Sequence, residues 1–529
     1  MKSEITVGLL VSGIADNYPV SVCRGAMKAA KENGVKLAIF PGKYLDRDLT
    51  EMKEIMYEYQ YNTLFSYAMG KRLDAVLIIA DSIGCYATSG RIRELVEQYC
   101  QIPCVLIGSK LEGYVSVNYD NYSGISEAMN YLIHDLGIRN IGMIGGPEDN
   151  TDARERKNVF KRVLAENELP FEGRCYVEGS LSRYTKEIFN ELIEKYPEMQ
   201  AVFCVNDETA IGLYDVMKAR RMMPGKDVMV FGFDNILSSP KMKPPLSSVW
   251  AEPSRLAENA LQIALRMIAG EQVDEQVLPT KFIKRDSLGT DRKKHDRRVN
   301  RQRIDKYFDD IFYRYIKEET NNNIADIKAG YVELMHKVID VYESGQSDID
   351  QKNEIMRMLD GLLGNNMMDY ADMENLLTHI ELLYQAFRKK EGNQWRELED
   401  TFTAVYRKAV MAVEQRLGKI SADKEDDQYA MKLFVRDIMQ FEKGTDQSYA
   451  VLLEHLEWFD IKNAYIYTFK KPIMHLEHER LDIPENLYLK AVLRDGAVES
   501  VLGAAQKIKT DDIFRSSMKG KDSNALVVQ

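Results

Sequence analysis

Two polar pairs, each following an apolar run, carry the residues best suited to bind a small molecule. Phe203-Cys204-Val205 is followed by Asn206-Asp207, and Val230-Phe231-Gly232-Phe233 is followed by Asp234-Asn235. In an open α/β sheet, ligands bind at the carboxyl ends of the strands, so polar residues there are candidate contacts. Asn and Asp are also common helix N-caps and turn formers, and for either run alone a cap is the better interpretation. Together the two runs point to a small-molecule receptor.

Other residue clusters fit chemistry less well. His475-Leu476-Glu477-His478-Glu479 is one residue short of an inverted zincin motif and favours a polar turn or strand. Cys100 and Cys104 have no second pair to complete a zinc site, and Gly145-Gly146-Pro147 lacks the spacing of a phosphate-binding loop. We therefore expect no catalytic residues, no metal and no cofactor within residues 1–529, and no enzyme activity from them.

Composition and charge narrow the class of protein. The 529 residues carry a formal net charge of −11, which argues against a mainly nucleic-acid-binding surface. No apolar run approaches membrane-spanning length, so no membrane partner is expected. The six cysteines have no disulfide framework spacing, which favours buried free thiols. These features predict a cytoplasmic protein.

Three stretches of different character follow one another along the chain. Residues 1–290 alternate short apolar runs with segments of helical period, which predicts an α/β fold with two parallel sheets and a cleft between them. Residues 291–443 keep an apolar stripe at helical spacing and predict an all-α region, more suited to linking and dimerisation than to a second ligand site. Residues 444–529 predict a small mixed α/β module. Its final run, 524–529, resembles an unpaired edge strand, so we expect the sequence to stop inside this module.

The first 290 residues resemble the effector-binding domain of the LacI/GalR repressor family, which has the type I periplasmic-binding-protein fold. The landmarks occur in the family's order: Asn17-Tyr18-Pro19, Leu73-Asp74-Ala75-Val76-Leu77-Ile78, Ile102-Pro103-Cys104, Asn118-Tyr119-Asp120, Leu136-Gly137-Ile138-Arg139, Gly145-Gly146-Pro147, Arg156, Asn206-Asp207, Gly232-Phe233-Asp234-Asn235, Pro244-Pro245-Leu246 and Arg285-Asp286-Ser287. The resemblance implies effector contacts from Asn17, Tyr18, Asp81 or Ser82, Arg156, Asn206 and Asp234. With this support we expect Asn206 and Asp234 to contact the ligand and Asp207 to cap a helix.

Several positions depart from the family pattern. Gly179-Ser180-Leu181 stands where many members carry an aromatic platform for a sugar, and Val159 replaces the usual Gly after the binding Arg. Only four residues precede the first predicted strand, so we expect no helix-turn-helix, and DNA binding by that route is doubtful. The order of sensor, helical region and mixed module resembles bacterial signalling proteins with a GAF-like domain. In these, a diguanylate cyclase often follows, and here it would lie beyond residue 529.

The resulting hypothesis is a sensor that binds a small polar metabolite, a sugar or nucleoside-like compound, between two lobes and acts as a homodimer. Two alternatives stay open. One is a transcription regulator that uses a protein partner or the basic run at 292–303, which holds seven Lys and Arg residues. The interpretation of that run without a binding function is a solvated linker. The other alternative is the sensor part of a diguanylate cyclase.

Overall fold

The computed structural model describes residues 5–14, 17–46, 58–69, 73–99, 101–183, 186–236, 238–289, 321–344, 349–364, 395–439, 446–459, 461–473, 483–501, 506–513 and 525–527. The basic run at 292–303 and the His475–Glu479 segment lie outside these residues. The chain divides into two compact units. The first comprises residues 1–291, 465–492 and 500–529, and the second comprises residues 292–464 and 493–499.

Strands and helices alternate through the first unit. The strands up to residue 283 are β1 (Thr6–Val11), β2 (Lys36–Pro41), β3 (Ala75–Ile79), β4 (Cys104–Ile107), β5 (Val115–Asp120), β6 (Ile141–Ile144), β7 (Tyr176–Val177), β8 (Ala201–Cys204), β9 (Met229–Phe233), β10 (Ser247–Trp250), β11 (Gln276–Pro279) and β12 (Lys281–Ile283). The helices are α1 (Asn17–Asn33), α2 (Ala80–Ile83), α3 (Ser89–Tyr99), α4 (Asn121–Asn130), α5 (Thr151–Glu166), α6 (Lys186–Lys195), α7 (Asp207–Ala219) and α8 (Pro253–Ile268). A 3-10 helix occupies Glu58–Met69.

Two parallel sheets form the two lobes, as the alternating pattern predicted. The first lobe contains β5, β4, β3, β1 and β2 side by side in that order, with β11 beyond β5. The second contains β10, β9, β8, β6 and β7, with β12 antiparallel at the β10 edge. Every residue of β1, β3 and β4 is buried, because helices cover both faces of a parallel sheet and leave no polar side.

The chain passes between the lobes at three places. These are the step from β5 to α4, the step from β10 to α8, and the step from β11 to β12. Helix α8 returns to the first lobe and packs against α1, where Gly25 allows close approach. A Cβ on Gly25 would lie 2.0 Å from the Ser254 carbonyl oxygen, so no other residue fits there without moving a helix.

The helical region and the C-terminal segment follow. The helices α9 (Asn321–Ser344), α10 (Ile349–Gly364) and the 45-residue α11 (Trp395–Met439) agree with the predicted all-α region. The short helix α12 (Asp446–Val451) follows that region. The later strands are β13 (Ala464–Thr468), β14 (Asn486–Arg494), β15 (Ala497–Ser500), β16 (Lys507–Lys509) and β17 (Ala525–Val527). No helix in the described part of the chain is long and apolar enough to cross a membrane.

The final strand differs from the prediction. Instead of ending as an unpaired edge, β17 lies parallel to β2 of the first lobe, with Ala525 beside Leu37 and Val527 beside Ile39. The preceding segment packs on the same lobe, since Leu487 and Ile513 share a buried cluster with Phe40. The sequence could not reveal this pairing, because β17 and the edge strand that receives it are separated by more than 480 residues.

Candidate ligand-binding site between the lobes

Arg156 lies at the centre of the polar residues between the two sheets. It projects from α5, whose first turn is capped by Asn150 through a hydrogen bond from the Ala153 amide at 2.9 Å. The Arg156 side chain is only 8% exposed. Its Nη1 donates to the Val205 carbonyl at 2.8 Å, and its guanidinium carbon lies 3.6 Å from the centre of the Phe233 ring. The guanidinium therefore ties α5 to the carboxyl ends of β8 and β9.

Asn121 and Asp234 provide the other partners of this guanidinium. Arg156 Nε donates to Asn121 Oδ1 at 3.3 Å, and Nη2 lies 3.7 Å from Asp234 Oδ1. The Asp234 side chain is 36% exposed, so part of its carboxylate stays open to a ligand. Burial raises the pKa of the Asp234 carboxyl, and the positive charge of Arg156 opposes this shift. The structure thus brings together Arg156 and Asp234, two of the predicted site residues, and their contact with a ligand stays a prediction.

The Asp234 carboxylate is held in place by an unusual turn. Asp234 has a φ of 94° and Asn235 a φ of 50°, in the left-handed region that Asn and Asp tolerate better than most residues. The Asp234 amide donates to the Val249 carbonyl at 2.9 Å. Asn235 Oδ1 accepts from Arg285 Nη2 at 2.7 Å, which fixes the second residue of the turn. The Asp-Asn pair after β9 is therefore compatible with the backbone of this turn as well as suited to a ligand.

Asn206, and not Asp207 as predicted, caps the helix that follows β8. Asn206 is the N-cap of α7, since its Oδ1 accepts from the Thr209 amide at 2.9 Å, and its Nδ2 donates to the Leu181 carbonyl at 3.0 Å. The prediction that Asp207 caps the helix was wrong, because Asp207 is the first residue of α7 and lies completely buried. A contact from Asn206 to a ligand remains a prediction.

Asp207 instead holds the loop that carries Asp234. Its Oδ2 accepts from the Ser239 hydroxyl at 2.5 Å and from the Ile236 amide at 3.1 Å, while its Oδ1 accepts from the Ser248 hydroxyl at 2.7 Å. A Cβ on Gly232 would lie 2.1 Å from Asp207 Oδ1, so glycine is needed there. Burial raises the pKa of the Asp207 carboxyl to about 7, and its three hydrogen-bond donors oppose the rise.

The first lobe contributes Tyr18 and Asp81. The Tyr18 hydroxyl donates to Asp81 Oδ2, and the Ser82 amide donates to Asp81 Oδ1 at 2.7 Å. The Ser82 hydroxyl pairs with Ser12 at 2.5 Å, so it is already engaged within the first lobe. Burial, followed by the negative charge of Asp152, raises the pKa of the Asp81 carboxyl to about 7. The side chain of Asn17, at the start of α1, lies outside the described residues.

Asp152 and Tyr119 belong to this group but were not singled out from the sequence. Asp152 precedes Arg156 by four residues on α5 and therefore lies on the same helix face. Tyr119, near the end of β5, is 9% exposed, and its hydroxyl has no hydrogen-bond partner among the described residues. Burial and the charge of Asp81 raise its pKa well above the usual range, and Asp234 and Asp152 add to the rise. The spacing of Asp152 from the predicted Arg156 was the one signal available.

A hydrogen-bonded cluster joins two of the segments that cross between the lobes. Thr280, between β11 and β12, donates from Oγ1 to the Asp120 carbonyl at 2.6 Å, and the same oxygen accepts from the Gly124 amide at 3.0 Å. The Thr280 amide donates to Ser123 Oγ at 3.1 Å. Two of the three crossings are thus linked directly to each other by hydrogen bonds.

The thiols in the described part of the chain are poorly suited to nucleophilic chemistry. Cys23, Cys104, Cys175 and Cys204 are buried thiols and Cys85 is a half-buried thiol, and none of these five forms a disulfide. Burial raises the pKa of Cys23 to about 12, so this thiol is unreactive at neutral pH. Within the described ranges, no three His, Cys, Asp or Glu side chains are grouped so that they could hold a metal ion.

Comparisons with known proteins agree with this architecture. Residues 131–288 match the family model described as a periplasmic binding protein-like domain. The chain is 28% identical over 210 residues to the HTH-type transcriptional repressor PurR of Vibrio atlanticus (strain LGP32), a match that covers 39% of this chain and 61% of the repressor. It is 26% identical over 276 residues to the ribose operon repressor of Escherichia coli (strain K12), covering 52% of this chain and 78% of the repressor.

Among solved structures, the transcription regulator CcpA of Lactococcus lactis matches with a TM-score of 0.45 and 20% identity, covering 54% of this chain and 99% of CcpA. The chain contains a parallel α/β domain of the periplasmic-binding-protein-like fold, followed by a helical region and a mixed α/β segment. The named relatives are repressors and regulators rather than enzymes. A GAF-like module and a diguanylate cyclase have no support in these matches and stay predictions.

Proposed function

We propose that residues 1–290 form a cytoplasmic sensor that binds a small polar metabolite between the two lobes. The observation that carries the proposal is that Tyr18 bonds to Asp81 in the first lobe and Arg156 lies beside Asp234 in the second, each pair near the carboxyl ends of parallel strands. Polar groups concentrated at this position are suited to recognise hydroxyl and amino groups with defined geometry. The similarity to a ribose operon repressor and to a PurR repressor supports a sugar or nucleoside-like effector class.

Binding would act by favouring one arrangement of the lobes. A ligand that contacts Asp81 on one side and Asp234 on the other gains both sets of contacts only when the lobes are close. The crossing segments, joined through Thr280 and Asp120, are short and are the natural pivot for such a movement. The helical region 291–443 would carry the change to an output within a homodimer, and residues 444–529 would form the output-side module.

The test is a titration of the full chain against sugars, nucleosides and amines, followed by calorimetry on every compound that raises the melting temperature. Asp234→Asn and Tyr119→Phe keep the side-chain shapes but remove a carboxylate and a hydroxyl from the cleft. Each should therefore lower the affinity for a true ligand by about tenfold. Asp149→Asn is the matched control, because Asp149 is exposed on the loop before α5. Unchanged affinity in both cleft variants would refute the site assignment.

A second candidate function, transcription regulation, is favoured by the names of the matched repressors and by the seven basic residues at 292–303. If this run contacts DNA, the affinity should fall steeply with salt, because each neutralised phosphate releases counterions. An electrophoretic shift assay on the full chain, compared with a variant in which these Lys and Arg residues are Gln, tests it. Absence of any shift at low salt would refute direct DNA binding.

A further inference from the structure

Asn150 of the second lobe contacts Cys85 of the first lobe directly. Asn150 Nδ2 lies 3.4 Å from the Cys85 carbonyl oxygen and 4.0 Å from Cys85 Sγ, in a partly buried position. Neither residue belongs to the three segments that cross between the lobes. The two lobes are therefore joined by a side chain as well as by the backbone.

The orientation of the Asn150 amide group is fixed by its second role. Its Oδ1 accepts from the Ala153 amide at 2.9 Å and so caps α5, the helix that carries Arg156. Because the oxygen is turned toward the helix, the NH₂ group faces the first lobe, where a backbone carbonyl is the matching acceptor. One side chain thus holds the start of α5 and reaches the other lobe.

Both ends of this contact are close to the candidate site. The Cys85 amide donates to the Ser82 carbonyl at 3.2 Å, so the turn that contains Cys85 continues directly from α2. Cys85 follows Asp81 by four residues, and Asn150 precedes Arg156 by six. Each end is therefore near a residue that we expect to bind the ligand in its own lobe. The contact joins the two halves of the candidate site.

We propose that the Asn150 side chain is a latch that holds the two lobes together and needs no ligand to do so. Its hydrogen bond to the Cys85 carbonyl is longer than usual, which indicates a weak bond that can open to admit a ligand. By keeping the lobes close, the latch would raise the population of the arrangement that binds the ligand and with it the apparent affinity.

This inference deepens the proposed sensor function, and its meaning for ligand binding rests on that function. The latch itself is made of two groups of the protein, so its test needs no ligand. The latch can therefore fail while the sensor function stands, and the sensor function can fail while the latch stands.

The test measures how fast the Cys85 thiol of the full chain reacts with a maleimide, since separation of the lobes would uncover this half-buried group. Trypsin releases Cys85 in the peptide 73–91, apart from the other cysteines. Asn150→Asp and Asn150→Ser keep an oxygen that can cap α5, but neither has an amide that can reach Cys85. Labelling should be at least about threefold faster in each variant, because the loss of one hydrogen bond shifts an equilibrium by about this factor or more.

Asn140→Asp is the matched control. Asn140 Nδ2 donates to the Glu198 carbonyl at 3.1 Å within the second lobe, so this variant loses the same kind of bond without affecting the first lobe. Cys85 should react in this variant as fast as in the wild type. Hydrogen exchange of the Ala153 amide should stay slow in both Asn150 variants, which would show that α5 is still capped.

The combination of the two measurements decides the inference. Faster labelling in both Asn150 variants, with the Ala153 amide still protected, supports the latch. Unchanged labelling in either variant overturns it. Faster labelling that comes with loss of Ala153 protection, or that occurs equally in Asn140→Asp, also overturns it, because the thiol would then report local unfolding rather than separation of the lobes. The metabolite titration described above decides the sensor function separately.

Discussion

The buried carboxyl of Asp207 predicts a dependence of stability on pH that one substitution should remove. Asp207 has an ordinary pKa of 3.8, which burial raises to about 7 in the folded protein. Between these values the folded chain keeps a proton that the unfolded chain has lost. The protonated Asp207 carboxyl therefore contributes to the free energy of unfolding at low pH, and this contribution is lost as the pH rises through about 7. Asp207→Asn keeps the shape of the side chain and removes this titration.

The size of the effect follows from the shift in pKa. From about pH 8 to about pH 5, the folded carboxyl takes up its proton while the unfolded one stays ionised, which corresponds to about 3 kcal/mol. In Asp207→Asn, the oxygen of the new side-chain amide would still accept from the Ile236 amide and the Ser239 hydroxyl. The NH₂ group would donate to Ser248 Oγ, whose hydroxyl would turn toward the Val249 carbonyl, now 3.5 Å away. That rearrangement has a cost, but the cost is the same at every pH.

The assay is hydrogen exchange of backbone amides in α7 and β9, in the wild type and in Asp207→Asn, at about pH 5 and about pH 8. Comparing the two proteins at the same pH cancels the intrinsic exchange rates and the titration of Asp81. The free energy of opening of the variant minus that of the wild type should be about 3 kcal/mol higher at about pH 8 than at about pH 5. Asp149→Asn should show no such shift. An equal difference at both pH values would mean that Asp207 stays ionised throughout and that its three hydrogen bonds outweigh its burial.

Three further predictions concern the cleft and the crossing segments. In Gly108→Ala, the new Cβ would lie 2.1 Å from the Asp81 carboxylate, at a residue whose φ is 77°. Calorimetry should therefore show at least about tenfold weaker ligand binding. An unchanged affinity would place Asp81 outside the site. Thr280→Val removes the hydrogen bonds to the Asp120 carbonyl and from the Gly124 amide. Urea denaturation should therefore show a free energy of unfolding that is lower by about 1–3 kcal/mol. No loss would mean that water replaces the hydroxyl. A ligand that contacts the Asp81 carboxyl should shift its pKa away from about 7, so calorimetry in buffers of different ionisation enthalpy should detect proton release or uptake near neutral pH that disappears in Asp81→Asn.

The alternation of apolar runs and helical segments was enough to predict the two parallel sheets. Strands such as β1 and β3 are buried on both faces, and continuous apolar runs are the direct consequence of that burial. The same pattern led to Asp234 at the carboxyl end of β9, whereas Arg156 was expected only from the family resemblance; the structure brings the two side chains together. The period of the apolar residues shows which face of a helix or strand is buried. It therefore predicts well how sheets and helices are layered.

Which atoms bond to each other was less predictable. Whether Asn206 or Asp207 caps α7 depends on where the helix begins, and a shift of one residue sends Asn206 to the cap and Asp207 into the interior. The commitment of Arg156 to the Val205 carbonyl depends on the approach of two elements far apart in sequence. Tyr119 follows Val117 and Asn118 in a strand of ordinary composition, and only the folded structure leaves its hydroxyl without a partner among the described residues.

The pairing of β17 with β2 also constrains the order in which the chain can fold. Residues 37–39 of β2 pair with residues 525–527, so the outer edge of β2 stays open during synthesis until the ribosome has passed β17. An open parallel edge exposes unpaired amide and carbonyl groups that can pair with strands of other chains. Contacts of such large sequence separation also form late. Closure of this edge therefore cannot precede the synthesis of residues 525–527, and until then β2 keeps an unpaired edge.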